Sequence, residues 1–234
     1  MQTSLFTGHD QDIEHIPLII AGQTVAALDF YPSVFAAQGQ AWFEQLLAQI
    51  PWQQEQMAIA GKMIDIPRLQ CWMGESYASY QYSGIALQPQ PWLPVVLAIK
   101  QQVEQLCGQR FNSALINCYR HGQDSVSWHA DDEAELGEKT IVASVSLGQT
   151  RQFLIKAQNK NHHYAADKGF QTSSENASSG ALNLVLNNGS LLIMGAGVQE
   201  HYLHSVPKET DVNAARINLT FRKIITYSDH GYLP

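Results

Sequence analysis

Hydrophobic and polar positions recur with two different periods along this chain, and the period changes near residue 108. Over 41–50 the apolar residues Trp42, Phe43, Leu46, Leu47 and Ile50 fall on one helical face, and Pro51 stops the helix. Over 93–107, Val96, Ile99, Val103 and Leu106 repeat that pattern, with Pro94 suited to the first turn and Gly108 to the C-terminal stop. Beyond Gly108 the apolar runs become short and β-rich. Segments 114–119, 140–147, 152–156, 181–186, 190–194 and 215–225 read as strands, and Asn187-Asn188-Gly189 reads as a hairpin joining two of them. The span 159–180, rich in Asn, Ser, His and Gly, reads as a long loop. Antiparallel strands behind two covering helices predict a mostly β protein with flanking helices (α+β) and a double-sheet jelly roll as its core.

The last strand carries the sharpest pattern. In Arg216-Ile217-Asn218-Leu219-Thr220-Phe221-Arg222 the two-residue period sends the three apolar residues one way and Arg216, Asn218, Thr220 and Arg222 the other. A solvated polar face is one reading. Two arginines with an amide and a hydroxyl between them also suit a small dianion held inside a barrel, because the guanidinium fork grips carboxylate bidentately.

His129 and Asp131 sit two apart in an extended segment and share a face, and His204 follows the strand-like run 200–203. Two imidazoles and one carboxylate leave three positions open on an octahedral iron, as an oxygen-activating non-haem Fe(II) centre requires. His-x-Asp recurs by chance, so the neighbouring segments decide its weight. Asn117 and Tyr119 share one face of the run 114–119, and the arginine strand begins twelve residues after His204.

A chain of 234 residues, 45% apolar and 15% charged, holds one globular domain with a real core. Cys71, Cys107 and Cys118 are odd in number and lack zinc-type spacing, so buried thiols in a reducing compartment are expected. No apolar run approaches the roughly twenty residues that cross a bilayer, and no signal-like N-terminus is seen. A monomeric protein of a bacterial cytoplasm is the expectation. The net charge of -7 speaks against a wholesale electrostatic grip on nucleic acid. Arg151, Lys156, Lys160, Lys168 and His162-His163 nevertheless fall in one segment with a single acid, Asp167, and are candidates to follow a phosphate backbone.

In their order along the chain, Asn117-x-Tyr119, His129-x-Asp131, His204 and Arg216-x-Asn218-x-Thr220-x-Arg222 resemble the AlkB-type Fe(II)/2-oxoglutarate dioxygenases, nucleic-acid demethylases. The resemblance spans about 66–225 and is closest to the branch typified by the two human DNA-repair members. Pro67-Arg68, Tyr80-Gln81-Tyr82-Ser83-Gly84, Pro91-Trp92, the run 143–148 and the run 189–194 look like that branch too. It implies a double-stranded β-helix core over 113–234 and a nucleotide-recognition region with a supporting helix over 56–112; residues 1–55, outside the resemblance, read as an extension with one helix packed on the core.

The resemblance implies roles residue by residue. His129, Asp131 and His204 would bind Fe(II). Arg216, with Asn117 and Tyr119, would hold the far carboxylate of 2-oxoglutarate, and Arg222 the metal-bound end, assisted by Asn218 and Thr220; the two arginine roles are interchangeable. With O2, and ascorbate as reductant in vitro, oxidation of an N-methyl group would release formaldehyde. The substrate would be alkylated DNA, single-stranded or duplex, with 1-methyladenine and 3-methylcytosine the expected lesions. The base must leave its stack to reach the metal. Tyr80 and Tyr82 would receive it, Asp132 and Glu133 would attract its charge, and Arg68 and Lys62 would touch the backbone. Duplex-acting relatives carry an aromatic wedge before the Pro-Arg pair. Here the stretch is Met57-Ala58-Ile59-Ala60-Gly61-Lys62, so single strands are expected to serve at least as well. Rival readings are an oxygenase acting on RNA or protein, and a non-catalytic nucleic-acid-binding module on the same scaffold.

Overall fold

The computed structural model describes residues 12–59, 61–78, 80–82, 85–158 and 181–225. Its elements are β1 (Glu14–Ile20), β2 (Gln23–Tyr31), α1 (Ala36–Gln49), β3 (Gln56–Ile59), β4 (Lys62–Asp65), β5 (Leu69–Gly74), β6 (Tyr80–Tyr82), β7 (Ile85–Leu87), α2 (Pro94–Cys107), β8 (Ser113–Tyr119), β9 (Val126–His129), β10 (Val142–Gly148), β11 (Arg151–Ala157), β12 (Leu182–Leu186), β13 (Ser190–Met194), α3 (Val198–His201), β14 (Tyr202–Val206) and β15 (Arg216–Arg222).

From β8 onward most connections carry the chain from one sheet to the other. The larger sheet runs β1-β2-β13-β10-β15-β8-β5, and the smaller runs β12-β11-β14-β9. Adjacent strands are antiparallel, with β15 between β10 and β8. The result is the expected jelly roll, with two short hairpins, β3-β4 and β6-β7, beside it.

Strand polarity explains why the larger sheet sits where it does. All seven residues of β15 are buried, yet its two faces differ in chemistry. Ile217, Leu219 and Phe221 join Trp42 and Leu46 of α1 and Val96, Ile99 and Val103 of α2 in one apolar cluster. Each such side chain contributes about 1.5–3 kcal/mol on burial. The opposite face, carrying Arg216, Asn218, Thr220 and Arg222, turns toward the space between the sheets. Deeper in that space Phe30, Val142, Phe153, Ile155 and Leu184 close a second apolar cluster.

Three expectations need correction. The segment 1–55 is not built on one helix alone: β1 and β2 precede α1, and β2 pairs with β13 to extend the larger sheet. Alanines on both faces of Gln23–Tyr31 blur the two-residue period there, so the strand is hard to see in sequence. Next, α1 starts at Ala36, five residues before the expected start at 41. Last, Asn187-Asn188-Gly189 is no hairpin turn, because β12 and β13 belong to different sheets. It is a corner held by Gly189 N–H to the Ser146 carbonyl at 2.8 Å and Gly148 N–H to Asn188 Oδ1 at 2.9 Å. The long loop read over 159–180, with Lys160, Lys168 and His162-His163, lies outside the described residues.

Candidate metal centre and cosubstrate pocket

His129 ends β9, and His204 sits opposite it on β14 in direct register. Asp131 follows two residues after β9. One ligand atom from each of the three lies within 4.8 Å of the others. Such a group suits one cation with two nitrogen ligands and one oxygen.

Each ligand is held in a state able to bind. His129 Nδ1 lies 2.8 Å from the Ser127 carbonyl, which can only accept, so Nδ1 carries the proton and Nε2 keeps its lone pair. His204 is 4% exposed, stacks on Phe153 at 5.3 Å, and its Nδ1 is buried with no hydrogen-bond partner among the described residues. Burial, then the charge of His129, lowers its pKa to about 3, so the ring is neutral. Burial likewise lowers His129, although Asp131 opposes it.

Asp131 is 1% exposed. Burial alone would raise its pKa, but Arg222 and the two histidines outweigh that and bring it to about 2. Its Oδ1 accepts from Arg222 Nη2 at 2.8 Å, and its Oδ2 is buried with no partner among the described residues. A buried carboxylate oxygen without a partner, on a residue whose ligand atom lies within 4.8 Å of a ring nitrogen from each histidine, is what a bound cation would satisfy. The residues therefore fit Fe(II).

The pocket continues from the ligands along the polar faces of β15 and β8. Thr220 Oγ1 donates to Asn218 Oδ1, and Asn218 Nδ2 donates to Ser144 Oγ at 2.8 Å. At the far end Arg216, 1% exposed, donates Nη2 to Ser146 Oγ at 2.8 Å, while its Nε and Nη1 have no hydrogen-bond partner among the described residues. Its guanidinium lies 5.1 Å over the Tyr119 ring. Burial lowers its pKa to about 10, which leaves it cationic at neutral pH. A buried guanidinium edge without hydrogen-bond partners is costly unless an anion meets it. A dicarboxylate reaching from the metal ligands to Arg216 fits.

The sequence missed several lining groups. Arg68 is a correction: it is 4% exposed and points inward, so it is not placed for a solvated backbone contact. Its Nε donates to Asn117 Oδ1 at 2.9 Å and its Nη1 to the Ser125 carbonyl at 3.1 Å. Gln70 donates to the same Asn117 oxygen at 2.9 Å. With Oδ1 engaged twice, the Asn117 amide is fixed in one orientation. Ser144 and Ser146 alternate with Ala143, Val145 and Leu147, a two-residue signal that was open to reading. Gln199, whose Oε1 accepts from Asp131 N–H at 2.9 Å, gave no such signal. Arg151 is also buried, at 1% exposure, rather than aligned along a phosphate path.

The remaining substrate candidates lie around the mouth. Asp132 and Glu133 line an open groove with Asp131, Glu138 and Glu200. Lys62 is exposed on β4, opposite Ile59. Tyr80 and Tyr82 are on β6, opposite Leu87 and Ile85; their side chains lie outside the described residues. Cys71, Cys107 and Cys118 are free thiols, and burial pushes Cys71 up to about 12 and Cys118 to about 11, so these two are unreactive.

Comparison with known proteins agrees with this geometry. The 2OG-Fe(II) oxygenase superfamily matches residues 28–222. Human alpha-ketoglutarate-dependent dioxygenase alkB homolog 3 is 37% identical over 202 residues, which are 86% of this chain and 67% of that protein. Its Bos taurus counterpart is 41% identical over 183 residues, 78% of this chain and 60% of that one. Human DNA oxidative demethylase ALKBH2 is 38% identical over 167 residues, 71% and 60% of the two chains. This chain thus spans about 60–67% of the length of these curated relatives. The solved structure of OsALKBH1 shares the fold, with a TM-score of 0.52 at 18% identity over 84% of this chain and 97% of that one. The chain belongs to the 2OG-Fe(II) oxygenase superfamily and, within it, to the AlkB-type members of the DNA-repair branch.

Proposed function

We propose that this chain oxidatively demethylates N-alkylated bases in DNA, of the 1-methyladenine and 3-methylcytosine type, turning 2-oxoglutarate and O2 into succinate and CO2 and releasing formaldehyde. One observation carries the reading. A single buried pocket bears a His/Asp/His group at one end and an arginine with two unpartnered nitrogens at the other.

His129, Asp131 and His204 would hold Fe(II), and Arg216 would take the far carboxylate of 2-oxoglutarate with Asn117 and Tyr119 beside it. Arg222 would orient Asp131 and face the nearer carboxylate, with Asn218 and Thr220 completing the wall. When bound, the iron with its cosubstrate supplies the oxidising chemistry that hydroxylates a C–H bond. The chain's own part is to exclude water, fix the dicarboxylate and keep both imidazoles neutral. A hydroxylated N-methyl group then breaks its C–N bond, leaving formaldehyde and the repaired base.

The relatives named as DNA oxidative demethylases support DNA as the substrate. The acidic groove with Asp132 and Glu133 supports a cationic base, since 1-methyladenine and 3-methylcytosine carry positive charge that neutral bases lack. Tyr80 and Tyr82 would stack on the flipped base, and Lys62 would meet a phosphate. The β3-β4 hairpin exposes the apolar Met63 and Ile64 along β4 and has no aromatic wedge, which favours single strands.

The test is mass spectrometry of a single-stranded oligodeoxynucleotide carrying 1-methyladenine, incubated with the protein, Fe(II), 2-oxoglutarate and ascorbate. Loss of the methyl group with the intact protein but not with His129→Ala supports the proposal. Turnover of 2-oxoglutarate without methyl loss would sink the base assignment and turn attention to RNA or protein substrates. No turnover at all would favour a binding module.

A further inference from the structure

Behind the wall of the pocket lies a buried cation that is not among its lining residues and approaches it through the Tyr119 ring. Arg151, at the start of β11, is 1% exposed and spends its donors away from the pocket. Its Nε donates to Glu209 Oε1 at 2.8 Å, and its Nη2 donates to the Asp124 carbonyl at 2.9 Å and the Pro207 carbonyl at 2.6 Å. Its guanidinium lies 5.7 Å from the Tyr119 ring, the ring that Arg216 approaches at 5.1 Å. Laid end to end, those distances put the two guanidinium carbons no more than about 11 Å apart.

Resting on the 2-oxoglutarate reading of the pocket, we infer that Arg151 and Glu209 form a charge pair that sets the affinity of the far-carboxylate site through Tyr119, with Arg151 as a positioning residue rather than a contact residue. The charge count gives the reason. Arg216 and Arg151 bring two positive charges and Glu209 one negative, while nearby Asp124 is paired with Arg120 at 2.7 Å. One unit of positive charge therefore remains for one carboxylate. Arg151 and Glu209 both act on Arg216, the first lowering its pKa and the second raising it. Neutralising Arg151 leaves the far end with no surplus, and neutralising Glu209 leaves it with two. At the effective dielectric of a protein interior, one unit charge at about 11 Å alters affinity by roughly tenfold.

A purely structural staple predicts something different. If Arg151 only ties the 121–124 and 207–209 loops together, loss of either partner loosens the pocket and weakens binding. The two hypotheses part at Glu209→Gln, whose amide oxygen still accepts from Arg151: a staple predicts unchanged or weaker binding, the charge pair tighter binding.

The experiment is calorimetric titration of 2-oxoglutarate into the full chain loaded with redox-inert Mn(II), for the wild type, Arg151→Gln and Glu209→Gln, with a thermal melt of each. The expected result is Kd raised about tenfold in Arg151→Gln and lowered about two- to tenfold in Glu209→Gln. An unchanged or raised Kd in a folded Glu209→Gln would overturn the inference even if Arg151→Gln fails to fold. Absence of 2-oxoglutarate binding to the Mn(II)-loaded wild type would overturn the pocket reading and this inference with it.

Discussion

Arg222→Met isolates what holds Asp131 ionised before any metal arrives. Arg222 and Asp131 are 2.8 Å apart, with side chains 3% and 1% exposed, so their attraction is barely screened by solvent. Removing the guanidinium strands a buried carboxylate, and breaking such a pair costs about 3–5 kcal/mol. For a domain of this size that corresponds to a melting temperature lower by roughly 6–20 °C. Two conditions should shrink the deficit. Mn(II) would neutralise Asp131 in place of Arg222, so the metal should stabilise the variant more than the wild type. Acid should also narrow the gap, because burial without Arg222 raises the Asp131 pKa and lets the carboxyl neutralise. In the wild type that pKa is depressed to about 2, so the pair's stabilisation is complete above about 3.8 and lost as pH falls toward 2. Differential scanning calorimetry of both proteins, with and without Mn(II) at pH 7 and pH 5, measures all of this. A variant within about 1 kcal/mol of wild type without metal, or an equal deficit with and without Mn(II), would refute the argument.

Three further outcomes are expected. Gln199→Ala leaves the Asp131 N–H without its acceptor and should cost about 1–3 kcal/mol in urea unfolding, with weaker Mn(II) binding by titration. Gly189 has φ +80°, and a Cβ there would lie 2.5 Å from Ala36 N, so Gly189→Ala should lose more than about 2 kcal/mol. Gly108→Ala, at φ +67° with open space around it, should lose only about 1 kcal/mol, and equal losses in the two would refute the steric reading. Metal-free stability should fall in two stages as pH drops. The first begins near 6.5, where the depressed His129 and His204 start to protonate in the unfolded chain alone. The second begins below about 4.5. There Glu104, lowered against its burial by Phe111 N–H, Lys100 and Arg110, and Asp124, lowered against burial by Arg120, lose their contribution. Urea midpoints across pH 7 to 3 check this, and a midpoint that rises on acidification would contradict it.

Local periodicity was enough to sort β15 into an apolar and a polar face, because side chains alternate in any strand whatever surrounds it. The same rule placed Asn117 and Tyr119 together and set out His129 and Asp131, and the order of these motifs pointed to the family. It did not say what each face would meet. Arg68 was read as a contact to the nucleic-acid backbone, and only the pairing of β5 with β8 turns it onto Asn117, forty-nine residues away. Arg151 looked like part of a basic surface until β11, the 120s loop and Pro207 closed around it. Gln199 reaches Asp131 across sixty-eight residues, and β2, near the start of the chain, pairs directly with β13 near its end. These contacts depend on which distant segments fold against one another. Alternation is a property of a few neighbouring residues, whereas burial and partnership belong to the assembled sheets.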